Sequence, residues 1–253
     1  MEKLKYDSLE VRTHSDRAAL GADAASLVAE ALRTACATRG EARVVFACAP
    51  SQAEFLAALV RKPITWGKVV VFHMDEYVGL RAERAESFRY FLHRHLLAHI
   101  DEPRAVHFIQ GEKDPLHECA RYSKLLAEKP IDLVCLGIGE NGHLAFNDPS
   151  VADFADAQLV KVVELDEACR GQQVNDGCFA SIDEVPSHAL TLTVPALVGA
   201  RQVSCVAPGE RKARAVREAL LGPIGPECPA SILRRHAHAV LHLDPASATL
   251  LKE

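Results

Sequence analysis

Two residues stand where a carboxylate and an imidazole could act on one small molecule. Asp75 closes the apolar run "VVVFHM", and His143 lies in "LGIGENGHLAFNDPS" (136–150), a glycine-dense loop after a second apolar run. Side chains that emerge at the carboxyl ends of strands are where ligands of open α/β sheets bind. An aspartate after a strand is also the ordinary residue of a turn or helix cap, so position alone leaves Asp75 between the two roles. His143 is followed five residues later by Asp148, a spacing suited to a proton-transferring histidine with a carboxylate partner. Gly139 and its neighbours let backbone approach a ligand closely. Lys212 comes at the start of an expected helix directly after a strand, where free N–H groups, the helix dipole and a compact cation together suit an anion.

Gly137-Ile138-Gly139-Glu140-Asn141-Gly142 also satisfies G-x-G-x-x-G. A dinucleotide fingerprint requires a helix to open at the third glycine. Only "HLAFND" intervenes before Pro149, and proline disfavours helical geometry in the residue before it. A catalytic loop fits this stretch better than a cofactor loop.

The elements that must position these residues alternate. Runs at 42–49, 68–75, 131–139, 189–194, 202–209 and 239–244 read as strands, near-continuously apolar, as expected for strands covered on both faces. Helices are expected from about Asp16 to Thr38 closed by Gly40, after Ser51, from about Ser87 to Ala98, and from near Glu210 to Gly222. Ser51-Gln52-Ala53-Glu54 has the form of a capping box. The expectation is an α/β, Rossmann-like three-layer sandwich with a mostly parallel central sheet, formed by residues 1–253 as a single domain.

Composition excludes several classes. The chain has 253 residues, 49% of them hydrophobic and 25% charged, with a formal net charge of -5, which argues against a nucleic-acid partner. The cluster Arg211, Lys212, Arg214 and Arg217 is interleaved with Glu210 and Glu218, and Arg214 and Arg217 read as a solvated helix face. No stretch approaches the roughly 18 consecutive apolar residues of a membrane span. The opening "MEKLKYDSLEVRTHSD" lacks the apolar core of a secretory leader. Eight scattered cysteines without C-x-x-C fit a reduced, cytoplasmic setting. The pairs His93/His95 and His236/His238 lack the company a closed zinc site needs, so no metal is expected.

Taken together, "FHMDEYVGL" (72–80), "SFRYFLHRHLL" (87–97), "LGIGENGHLAFNDPS" (136–150), "DEVPSHALTLTVPAL" (183–197), "GERKARAV" (209–216) and "PASILRRH" (229–236) resemble, in order, segments of the glucosamine-6-phosphate deaminase/isomerase family. The resemblance runs from about residue 68 to the end. It implies deaminating aldose–ketose isomerisation of glucosamine 6-phosphate to fructose 6-phosphate and ammonia, without metal or organic cofactor. It further implies that His143 opens the sugar ring, that Asp75 shuttles a proton between C2 and C1, and that Arg170 and Lys212 hold the phosphate. Gly139 is expected at the substrate, and the Ser51 hydroxyl, at the start of a helix, is placed to receive an anion. Asn141 stands where many members carry aspartate, and Asp148 where they carry glutamate. The family's Thr-Gly-Gly-Thr/Ser-Pro phosphate loop is replaced by "APSQAEF" (49–55), which leaves the phosphate end of the substrate open. Two other readings share the fold: a 6-phosphogluconolactonase-like hydrolase, whose motifs differ at "DEY" and "GHLAFNDP", and a non-catalytic sugar-phosphate sensor. The partner expected in each case is a small sugar phosphate, and a homo-oligomer is compatible with the sequence.

Overall fold

The computed structural model describes residues 2–175 and 177–251. The order of strands is β1 (Glu2–Tyr6), β2 (Leu9–Thr13), β3 (Ala42–Phe46), β4 (Val69–His73), β5 (Asp75–Tyr77), β6 (Ala105–His107), β7 (Leu133–Leu136), β8 (Val160–Glu164), β9 (His188–Leu192), β10 (Gln202–Val206) and β11 (Ala239–Leu243). Helices α1 (Arg17–Arg39), α2 (Ala53–Leu59), α3 (Phe88–His95), α4 (Pro115–Ala127), α5 (Glu167–Asn175), α6 (Val194–Val198) and α7 (Ala213–Leu221) connect them, with short 3-10 turns between. Eight strands form one sheet in the order β1-β2-β11-β10-β7-β3-β4-β6, parallel throughout except for the β1–β2 pair. Three more, β5-β9-β8, make a small antiparallel sheet. The expected Rossmann-like α/β sandwich is the architecture found.

The apolar runs are continuous because both faces of the large sheet are covered. Along β3, Val45 faces one hydrophobic core with Phe72, Val134 and Leu136, while Val44 and Phe46 face the other with Val71 and Leu133. That is the period-two alternation of a strand with no solvent side.

Helix α1 covers the second of these faces. Asp16 caps its N-terminus by accepting from the Ala19 N–H at 2.8 Å. Gly40 ends it in the left-handed conformation (φ 80°), its N–H donating to Cys36 O. Small residues on its buried side admit close packing. A Cβ on Gly21 would lie 2.6 Å from the backbone carbon of Glu54, so α1 and α2 approach at van der Waals distance here.

The capping box expected at Ser51–Glu54 does not form. Residues Pro50–Gln52 make a 3-10 turn, neither it nor α2 has a side-chain cap, and Glu54 turns instead to Arg17 of α1. The close α1–α2 approach brings a guanidinium within bidentate reach of Glu54, and a charge-assisted fork outweighs a single capping bond. The first hairpin, β1–β2, was not expected from its charge-rich sequence. It is an edge pair whose outer strand is largely exposed, so it needs no apolar run.

Among the described residues no helix is long and apolar enough to cross a membrane.

Candidate active site

Strand order reverses between β3 and β7. From β3 the chain runs outward to β4 and β6; from β7 it runs the other way to β10 and β11. A crevice must open outside the carboxyl ends at such a point, because the two connections leave in opposite directions. A cavity of about 400 Å³ lies there, large enough for a small-molecule ligand. Asp75, Ser51, Gly139, His143 and Lys212 all line it. Four separate strand ends thus bring these five residues to one place.

Asp75 begins β5, at the kink where the chain leaves the large sheet for the small one. Its backbone pairs with Thr191 of β9, and Leu192 N donates to Met74 O at 2.8 Å, which fixes the turn. The carboxyl is 7% exposed. Burial first, and the negative charge of Glu76 second, push its pKa well above the usual carboxylate range. A carboxylate made more basic in this way is suited to taking a proton from carbon.

Glu76 is the neighbour that the sequence motif contains without explaining. It is fully buried and accepts from Ser87 Oγ (2.7 Å), from the backbone N–H groups of Tyr77 and Arg89, and from Arg89 Nε at 3.2 Å. It therefore anchors the N-terminus of α3, whose first residue, Phe88, lines the cavity.

The loop 137–148 is folded around His143. Gly139 donates to His143 O at 3.0 Å, and Gly142 donates back to Gly139 O at 3.0 Å. The imidazole lies against Gly139 so closely that a Cβ there would sit 2.2 Å from Cε1 of the ring. Asp148 accepts from His143 Nδ1 at 3.0 Å and from Asn141 Nδ2 at 2.8 Å, while Asn141 Oδ1 accepts from the His143 N–H at 3.1 Å. Burial by itself would raise the pKa of Asp148, but the hydrogen bonds from His143, Asn141 and Cys169 and the charge of His143 outweigh it and hold it at about 2. Ionised, Asp148 can only accept, so Nδ1 carries the proton and Nε2 is the nitrogen left to exchange protons with a ligand.

The cationic side of the cavity differs from the expected one. Lys212 is buried and lines it, at the junction of the 3-10 turn Glu210–Lys212 with α7. Arg170 does not line it. Its guanidinium donates to Ile182 O at 2.6 Å. On α5 the residues that reach the cavity are Gln172 and Gln173, while the bond to Ile182 O holds the Arg170 guanidinium against the following turn. Two other arginines stand at the cavity instead: Arg17, held by Glu54 (2.7 and 3.1 Å), and Arg211, 3.4 Å from Glu140. Nothing in the spacing could have found Arg17, because α1 reaches the cavity only through its packing on α2. In "APSQAEF", Ser51 and the buried Gln52 face the cavity, and the charge of Glu54 is neutralised by Arg17.

The profile of the family described as glucosamine-6-phosphate isomerases/6-phosphogluconolactonase matches residues 15–242. A glucosamine-6-phosphate deaminase of Lactobacillus delbrueckii subsp. bulgaricus is 34% identical over 233 residues, 92% of this chain and 95% of the relative. One from Listeria monocytogenes is 35% identical over 216 residues, covering 85% and 90% of the two chains. Among solved structures, a monomeric glucosamine-6-phosphate deaminase superposes with TM-score 0.87 at 29% identity, covering 95% of this chain and 99% of that one. The 6-phosphogluconolactonase of Thermotoga maritima superposes with TM-score 0.75 at 18% identity, a likeness of fold alone. The chain belongs to the glucosamine-6-phosphate isomerase/6-phosphogluconolactonase family.

Proposed function

We propose that the protein is a glucosamine-6-phosphate deaminase, converting glucosamine 6-phosphate and water to fructose 6-phosphate and ammonia. The observation that carries the reading is one cavity lined by both a buried, basic Asp75 and a His143 whose Nδ1 is tied to Asp148. The curated relatives over most of the chain are named deaminases, whereas the lactonase likeness lies in the fold.

The chemistry divides between the two groups. His143 takes the proton of the sugar's O1 through Nε2 and returns one to the ring oxygen, so the ring C1–O bond breaks and an aldehyde forms. Asp148 keeps the imidazole in the required tautomer and steadies the imidazolium formed in between. Asp75 then removes the proton at C2, now acidified by the adjacent carbonyl, and delivers it to C1. The amine-bearing C2 becomes an imine, water adds to it, and ammonia leaves. Each proton is moved by a group whose environment suits the transfer, which is how two titratable side chains in one site divide acid and base work.

The phosphate is assigned to Lys212, Ser51, Arg211 and Arg17, at the ends of β10 and β3. Arg17 and Ser51 replace the glycine-rich wrap of other family members. Eight free cysteines suit a reducing compartment, from which we infer a cytoplasmic enzyme.

The test is direct. Purified protein incubated with glucosamine 6-phosphate should release ammonia and fructose 6-phosphate in equal amounts. Asp75→Asn should lower kcat by about 10²–10⁴-fold, the usual contribution of a positioned acid–base group. Equal rates for wild type and Asp75→Asn would overturn the assignment.

A further inference from the structure

His14, Asp23 and His242 meet where the carboxyl ends of β2 and β11 come against α1. His14 follows β2, His242 lies in β11 beside Arg12 of β2, and Asp23 projects from the second turn of α1. None of the three lines the cavity of the candidate active site. One ligand-capable atom from each lies within 4.8 Å of the other two. Asp23 Oδ2 is 3.3 Å from His242 Nδ1 and 3.7 Å from His14 Nε2.

Their surroundings raise a question that packing does not answer. His242 is fully buried, and both its ring nitrogens lack a hydrogen-bond partner among the described residues. Nε2 of the buried His14 is in the same position. Buried polar atoms are almost always satisfied, so two imidazole nitrogens without a hydrogen bond, His14 Nε2 and His242 Nδ1, both facing one carboxylate oxygen, point to a missing partner. In the tautomers that turn their lone pairs toward Asp23, these two nitrogens need a partner that accepts lone pairs, which a cation does and an anion does not.

We propose that His14, Asp23 and His242 form a binding site for a divalent transition-metal ion of zinc-like preference. Two imidazoles and a carboxylate are a donor set that suits zinc, with bonds of about 2.0–2.1 Å, so tetrahedral ligand atoms lie roughly 3.3–3.4 Å apart. The measured 3.3 and 3.7 Å edges are already close to that spacing. The third edge, between the two imidazole nitrogens, is within 4.8 Å, and a bound ion would draw it in. Asp23 also lines a surface groove with Arg12, Ser26 and Glu30, which opens the carboxylate end of the cluster to solvent.

The charges around the site are compatible with this. Arg12 donates to Asp23 Oδ2 at 2.9 Å and to Glu10 at 2.7 Å, and Lys3 lies 3.4 Å from Glu10. An ionised carboxylate has lone pairs for both a metal and an arginine, and an outer hydrogen-bond partner is the usual means of orienting a ligating carboxylate. The consequence would be structural. The ion would tie β2, β11 and α1 together, stapling the N-terminal hairpin to the parallel sheet.

Zinc chloride added to chelator-stripped, full-length protein tests this. One zinc should bind per chain and raise Tm by about 5–10 °C at a hundredfold excess over its Kd. Cobalt(II) should give the intense visible absorption of a tetrahedral site. Asp23→Asn should weaken zinc by at least roughly a hundredfold, since losing a ligand costs no less than losing its outer partner. His117→Gln, a surface control, should change nothing. His14→Gln provides the same readout if the His242→Gln variant does not fold. Failure to bind zinc stoichiometrically, or binding unchanged in both Asp23→Asn and His14→Gln, overturns the site. Deaminase activity is measured separately and does not depend on either outcome.

Discussion

At the scale of single residues, the environment of each carboxylate decides its role. Asp75 and Asp148 are both buried, yet one is pushed up and the other held at about 2. The difference is that Asp148 receives three hydrogen bonds and faces an imidazole, whereas Asp75 has the negative Glu76 beside it. Their contributions to stability therefore carry opposite signs. Asp148, depressed, stabilises the fold above its unfolded pKa of about 3.9, and that contribution fades as pH falls toward 2. Asp75, raised, opposes folding once pH exceeds the same unfolded value, because the native state resists losing the proton. Asp75→Asn should thus lose most of its activity yet be at least as stable as wild type at pH 7, read as an unchanged or higher Tm. Asp148→Asn should lose activity and stability together at pH 7, and the stability gap from wild type should shrink when denaturation is repeated near pH 3.

At the scale of elements, two contacts between helices place groups that carry function. The α1–α2 approach at Gly21 sets the Arg17–Glu54 fork, and through it the cation at the mouth of the cavity. Arg17→Ala should raise KM about tenfold with little change in kcat, the pattern of a group that holds the substrate equally before and during reaction. The second contact is Glu76 with Arg89, 0% and 6% exposed. Breaking one side of a buried pair costs about 3–5 kcal/mol. Glu76→Gln keeps the shape and some hydrogen bonds, and Arg89 retains Glu112 at 2.7 Å, so the lower end applies. The same change removes the charge next to Asp75, so the acid limb of the kcat profile should move to lower pH. Chemical denaturation and a pH–rate series on one variant check both effects.

At the scale of the whole molecule, the sheet buries titratable groups that must stay neutral. His73 of β4 accepts from Ile109 N–H at 2.7 Å, and burial first, with Arg89 second, lowers its pKa to about 3. Its folded pKa lies below the unfolded value of about 6.5, so stability is lost as pH falls from 6.5 toward 3. The slope from this one group approaches at most about 1.4 kcal/mol per pH unit. Urea midpoints from pH 7 to 4 should fall accordingly, and His73→Gln should flatten that fall.

The sequence by itself determined the class of fold, the strands whose continuous apolar runs required cover on both faces, and the chemistry loop. In that loop Gly139, Asn141, His143 and Asp148 are close enough in sequence that local backbone geometry alone makes them meet. Asp75 was legible for a related reason, since a strand's end carries its residue to a known edge. Only the tertiary structure decided what depends on distant segments packing together. It turned Glu54 to Arg17, carried Arg170 away from the cavity and Gln172 toward it, and brought His14 and His242 together around Asp23 from opposite ends of the chain. Those outcomes follow from which segments pack together and from strand order, which a residue's neighbours in sequence do not fix and which only the packed sheet determines.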